Sequence, residues 1–147
     1  MRWTPHITVA AIVPRNDRFL MVSEYETDQL VINQPAGHVE SNESLIEAVL
    51  REVKEETAWV VEPLHIVGIY RYRANTEATE YLRICYACNP VEQTDDVLDA
   101  DIESADWLTL DDIHRRPHRS HLVKRCLADY LSDQQVPLQF ISWEGTP

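Results

Sequence analysis

The stretch Gly37-His38-Val39-Glu40-Ser41-Asn42-Glu43-Ser44-Leu45-Ile46-Glu47-Ala48-Val49-Leu50-Arg51-Glu52-Val53-Lys54-Glu55-Glu56-Thr57-Ala58-Trp59 decides how the chain is read. From about Ser44 to Thr57 its apolar residues recur at helical spacing. At about 100° per residue, Ile46, Val49, Leu50 and Val53 form a stripe that faces a core. Glu52, Glu55 and Glu56, spaced i, i+3, i+4, share a second face. Carboxylates so placed repel by a few tenths of a kcal/mol per pair; Arg51 and Lys54 flank them and offset part of this. Ser41, Ser44 and Glu43 supply capping chemistry at the helix start. A solvated acidic face is the ordinary reading of such a cluster. The chemistry offers another. Hard divalent cations take carboxylate oxygens, and Mg²⁺ is held by a few carboxylates together with water and substrate phosphates. A cation there can bridge phosphate oxygens and activate water.

Working outward, His6 to Val13 alternates and is rich in β-branched residues, which predicts a strand. Phe19 to Val22 predicts a second, after a turn at Pro14 to Asp17, and the two are expected to pair as a hairpin. Leu30-Val31-Ile32 leads into a punctuated loop, Asn33-Gln34-Pro35-Ala36-Gly37. Two further strands, Leu64 to Arg73 and Tyr81 to Ala87, flank a polar turn. Val91 to Asp101 reads as an acidic loop, Ala105 to Leu110 as a short strand, and Asp111 to Arg115 as a helical turn stopped by Pro117. Ser120 to Ser132 has a second long helical pattern, and Leu138 to Ile141 is expected to be a final strand. With no internal repeat or linker, 147 residues read as one domain, 1–147, of α/β class with a mixed sheet.

Composition narrows the function. The chain carries 25 acidic against 13 basic side chains, a net charge of −12. That argues against nucleic-acid binding, which needs a basic surface. No apolar run is long enough to cross a membrane, and the first residues do not resemble a signal peptide. A cytoplasmic protein is expected. Only three glycines are present, Gly37, Gly68 and Gly145, so glycine-rich phosphate loops are excluded. Cys85, Cys88 and Cys126 read as free thiols. Cys85 and Cys88 form a CxxC, but on a strand residues three apart point to opposite faces, so packing is expected rather than metal or redox chemistry. His114, His118 and His121 lie close in sequence, yet Pro117 breaks any helix that would align them.

The quoted stretch resembles the Nudix box, G-x5-E-x7-R-E-U-x-E-E-x-G-U with U a bulky apolar residue. Every defining position matches except the last glycine, where Ala58 stands. The resemblance implies a Nudix-type α/β/α sandwich with the family's loop-helix-loop and a hydrolase that needs Mg²⁺, with Mn²⁺ as a substitute. It implies that Glu52, Glu55 and Glu56 hold the metal and that Gly37 offers its carbonyl to it. Arg51 would orient the glutamates, and Glu55 or Glu52 would be the general base. Glu43 would be structural. Some relatives add a carboxylate from a loop outside the box; here Asp101 is the first candidate, followed by Glu103 and Glu80. Ala58 follows the helix, where a left-handed cap is common. Alanine there costs roughly 1 kcal/mol and removes no ligand.

Outer segments, among them Pro5 to Ala10, Asn33 to Glu40 and Arg119 to Val123, are similar to a bacterial phosphatase subgroup of the family, NudJ. This implies release of phosphate from nucleoside di- and triphosphates and from hydroxymethylpyrimidine diphosphate. The alternatives are a housecleaning nucleoside triphosphate pyrophosphohydrolase and a non-catalytic nucleotide-binding module. Candidate substrate contacts are Gln34, His38, Arg73, Arg83 and Arg119, with Tyr70, Tyr72 or Trp3 for stacking. The expected partner is a small phosphorylated molecule, bound by a monomer or small homo-oligomer.

The charge itself is localised. Residues 40 to 56 hold six acids and two bases, and residues 92 to 112 hold nine acids and no base. The rest of the chain is close to neutral, so the acidity marks the box and one loop rather than coating the surface.

Overall fold

The computed structural model describes residues 2–145. Its strands are β1 (His6–Ile12), β2 (Pro14–Arg15), β3 (Arg18–Glu26), β4 (Gln29–Asn33), β5 (Ala36–His38), β6 (Trp59–Tyr72), β7 (Tyr81–Gln93) and β8 (Ser104–Thr109). Its helices are α1 (Leu45–Thr57), α2 (Leu110–Arg115) and α3 (Leu122–Leu131), followed by one 3-10 turn, Leu138–Phe140.

A four-stranded mixed sheet runs β5-β1-β7-β6, with β1 parallel to β7 and the other pairs antiparallel. The alternation of β1 divides the core in two. Val9, Ala11 and Val13 pack with Ala48, Val49 and Val53 of α1. Ala10 and Ile12 pack with Val123, Cys126 and Leu127 of α3. Helices therefore cover both faces of the sheet, the α/β/α sandwich expected. β1 and the middle of β7 are buried between these layers, which is why they read as nearly continuous apolar runs. The CxxC splits as the strand period requires: Cys85 faces the α3 layer and Cys88 the α1 layer, and all three cysteines are free and buried.

A second, antiparallel sheet has β3 at its centre, with β8 along one edge and β2 and β4 along the other. The expected hairpin between His6 to Val13 and Phe19 to Val22 is corrected here. Both edges of β1 are occupied, by β5 and β7. The chain instead crosses between sheets after Ile12, and only Pro14–Arg15 pairs with Arg18–Phe19. Local alternation says that a segment is a strand but not which edge it meets. Two further expectations change. The punctuated loop contains β5, a three-residue strand. The final strand is the 3-10 turn, entered after Pro137.

α1 begins at a capping box formed by Ser44 and Glu47. The Glu47 N–H donates to Ser44 Oγ at 3.1 Å, and the Ser44 N–H donates to Glu47 Oε1 at 3.2 Å. The helix ends at Ala58, whose φ of 62° and ψ of 19° are left-handed. Glycine adopts this conformation without the Cβ clash. Ala58→Gly is expected to stabilise the protein by about 0.5 kcal/mol, because relief of strain outweighs the lost buried methyl and the added chain entropy. The midpoint of urea unfolding measures it; a midpoint lowered by the substitution would show that the methyl's packing dominates.

Candidate active site

The second face of α1 meets β5, where Glu56 accepts from Ala36 and Glu52 lies against Gly37. Arg51 is the hub. Its Nε donates to Glu43 Oε2 at 2.6 Å and its Nη2 to Glu43 Oε1 at 3.0 Å, a bidentate pair. Nη2 also donates to the His38 carbonyl at 3.0 Å, and Nη1 to Glu52 Oε1 at 2.9 Å and Glu55 Oε2 at 3.2 Å. Glu43 is thus an anchor for Arg51 rather than a helix cap, and its carboxyl is held below the ordinary range by that guanidinium. Burial raises the Glu52 carboxyl. Glu56 accepts from the Ala36 N–H at 2.9 Å, yet burial, with Glu52, Glu24 and Asp99 nearby, pushes it up to about 8.

These carboxylates do not by themselves form a cage. Among the described residues no three His, Cys, Asp or Glu side chains stand close enough to hold a metal ion. Arg51 draws Glu52 and Glu55 toward itself while Glu56 turns to β5. The donor set nonetheless fits a hard divalent cation. It is made of oxygens; Glu56 is a largely buried acid with no cationic partner among the described residues, and Glu52 shares the single Arg51 with Glu43 and Glu55. Gly37 leaves the space this requires: a Cβ there would overlap the Glu52 carboxyl carbon and both of its oxygens.

The expected role of the Gly37 carbonyl is altered by register. Val39 N–H donates to Ile7 O and Ala11 N–H to Pro35 O, each at 3.0 Å. In an antiparallel ladder hydrogen-bonded pairs alternate, so Val9 and Gly37 form the pair between them. The Gly37 carbonyl faces β1. The backbone groups that face α1 are those of Ala36 and His38, of which the Ala36 N–H donates to Glu56 and the His38 carbonyl accepts from Arg51. Gly37 serves the site by its missing side chain.

A cleft of about 370 Å³ opens beside Glu56, Ala36 and Gly37. Of the predicted contacts, His38, Arg83 and Arg119 line it. The His38 ring lies 3.0 Å from that of His6, and burial with the His6 charge lowers its affinity for a proton. Arg119 is paired with Glu24 at 2.8 Å and Glu26 at 3.0 Å. Gln34 and Arg73 are not among the lining residues. Gln34 is 1% exposed, with its amide engaged by Val123 O and Arg83. Arg73 is exposed beyond the end of β6. Tyr72 lines the cleft. Tyr70 is a core residue bonded to Asp129 at 2.8 Å, and Trp3 stacks on Arg71.

The loop carboxylate also moves. Asp101 is exposed. Asp99 is the acid whose charge reaches Glu52 and Glu56, and its N–H is tied to the Glu55 carbonyl at 2.9 Å. Glu80 bonds to Arg71 instead, and the Glu103 backbone is tied to Ser23. Asn33 and Glu24 line the cleft too; one is a polar residue at a strand end and the other an acid on a strand, and no motif singles out either side chain. A larger cavity of about 590 Å³, between residues 39–46 and Ile141 to Trp143, contains none of Glu52, Glu55 or Glu56.

Comparison with known proteins agrees with this geometry. The NUDIX domain family pattern matches residues 4–129. The phosphatase NudJ of Escherichia coli K12 is 36% identical over 140 residues, covering 93% of this chain and 90% of that protein. A NUDIX hydrolase from Nitrosomonas europaea superimposes with a TM-score of 0.92 at 36% identity, covering 95% of this chain and 97% of the other. The NUDIX domain of Shewanella oneidensis NrtR, solved with ADP ribose, shares the fold at a TM-score of 0.73 and 18% identity, covering 90% of each chain. With the box in place on α1 and β5, the chain belongs to the Nudix hydrolase family, whose members cleave phosphoric anhydride bonds.

Proposed function

We propose that this protein is a Mg²⁺-dependent phosphatase, with Mn²⁺ able to substitute, that releases orthophosphate from nucleoside di- and triphosphates and from hydroxymethylpyrimidine diphosphate. The observation that carries this reading is that Arg51 holds Glu52 and Glu55 on the helix face that also carries Glu56, and Glu56 lines a cleft of about 370 Å³. Similarity to NudJ over nearly the whole chain supports the phosphatase branch.

Glu52, Glu56 and Glu55 would hold the cation, with Asp99 positioned to add charge. When bound, it supplies positive charge to the phosphate oxygens and acidifies water. Arg51 fixes the carboxylates so that they need not reorganise during the reaction. Glu55 is the most exposed of the three and meets Arg51 at only one oxygen, leaving the other to accept the proton of the attacking water. Localised acidity implies that phosphate affinity depends steeply on divalent metal, since the unneutralised carboxylates repel the substrate.

The test is orthophosphate release from GDP, GTP and hydroxymethylpyrimidine diphosphate with Mg²⁺ and after chelation. Turnover should vanish on chelation and return with Mg²⁺ or Mn²⁺. Turnover untouched by chelation, or by Glu55→Gln and Glu56→Gln, would sink the proposal. Pyrophosphate in place of orthophosphate would assign the pyrophosphohydrolase reaction instead.

A further inference from the structure

Glu56 and Gly37 line the cleft, while part of its lining takes no part in the chemistry above. Asn33, the last residue of β4, is 8% exposed and lines the cleft, and its Oδ1 is buried without a hydrogen-bond partner. A bare acceptor in a protein interior is costly and calls for an explanation. Arg83, near the start of β7, lines the same cleft at 7% exposure. It makes no ion pair among the described residues. One of its nitrogens donates to Gln34 Oε1 at 3.4 Å, and Gln34 is anchored in turn by its Nε2 on the Val123 carbonyl at 2.9 Å. Gln34 is thus a positioning residue that ties Arg83 to α3, and its chain neighbour is Asn33.

The chemistry here does not suit phosphate. The Asn33 acceptor would repel phosphate oxygens, and Glu24 and Glu26 line the same cleft with their charge shared by the single Arg119. An orphan acceptor wants an N–H, and a guanidinium with donors to spare wants an acceptor. Both needs are met by the edge of a nitrogen heterocycle.

We propose that Asn33 and Arg83 recognise the heterocyclic ring of the substrate. Asn33 Oδ1 accepts from a ring N–H or amino group, and Arg83 donates to the adjacent ring nitrogen or carbonyl. The phosphates then extend toward Glu56. This rests on the phosphatase reading above and adds to it the group that the enzyme selects.

The experiment compares kcat/KM for thymidine triphosphate with that for its difluorotoluene isostere, which keeps the ring's shape but has no hydrogen-bonding edge. The wild-type enzyme should disfavour the isostere by about tenfold or more. Asn33→Leu should shrink the gap to about threefold or less, and Asn33→Asp, which keeps an acceptor, should retain most of it. Equal use of the two compounds by the wild-type enzyme overturns the proposal without reliance on any variant's folding. So does a gap that survives in a folded Asn33→Leu. No turnover of any nucleotide by the wild-type enzyme would instead overturn the phosphatase reading on which the proposal rests.

Discussion

Arg51→Lys is expected to lower kcat/KM by about three orders of magnitude, a larger loss than its preserved charge would suggest. The guanidinium reaches both Glu43 oxygens, the His38 carbonyl, Glu52 and Glu55 in one planar fork. A lysine ammonium has three donors on a flexible stem and cannot span that set. Glu52 and Glu55 would lose their fixed spacing; displacement of one catalytic group by about 1 Å can cost on the order of 100-fold, and two groups that act together lose less than the product, so about 1,000-fold is expected. Arg51→Leu should add a stability loss of about 2 kcal/mol, because it leaves the largely buried Glu43 and Glu52 carboxylates uncompensated. The pH dependence follows from Glu43. Arg51 holds its carboxyl below the usual 4.5, so this stabilisation is present above that value and is lost as pH falls through the lower folded value. The gap in Tm between wild type and Arg51→Leu should be wide near neutrality and close as the solution becomes strongly acid. A gap independent of pH would mean that packing by the arginine stem, not charge, is what the variant removes.

The box was legible because its information is local. One helical period sets the face of Glu52, Glu55 and Glu56, and the same period buries Val49 and Val53. The opposite facing of Cys85 and Cys88 was legible for the corresponding reason in a strand. Pairing was not. Alternation in His6 to Val13 marks a strand, but nothing local says that β7, some seventy residues on, takes one edge and β5 the other. The site outside the box depends on such long-range pairings. Gln34 looked like a substrate contact until α3 brought Val123 onto its amide. Asp99 and Asp101 are equivalent as entries in an acidic run; the backbone bond from Asp99 to Glu55 is what distinguishes them. Asn33 lies in a segment that resembles the phosphatase subgroup, but nothing local marks its side chain, since its interest lies in a partner it lacks.

Gly37→Ala should reduce kcat/KM by about 100-fold while leaving stability within about 0.5 kcal/mol of wild type. The glycine does not have a positive φ, so alanine meets no backbone penalty there. What its Cβ meets is the Glu52 carboxyl group. That group is the end of a flexible side chain and can swing aside at little cost to the fold. In doing so it leaves the Arg51 contact at 2.9 Å and the position from which it would hold a cation. The comparison with Ala58 separates two uses of glycine in one motif. At position 58 the family residue answers a left-handed φ of 62°, and replacing it costs stability without removing a ligand. At position 37 it answers a carboxylate, and replacing it should cost activity without disturbing the fold. Measuring Tm and kcat/KM together on Gly37→Ala decides the matter. A large drop in Tm would show that Gly37 is needed by the β1–β5 ladder; full activity would show that Glu52 works from a position other than the one it occupies against Gly37.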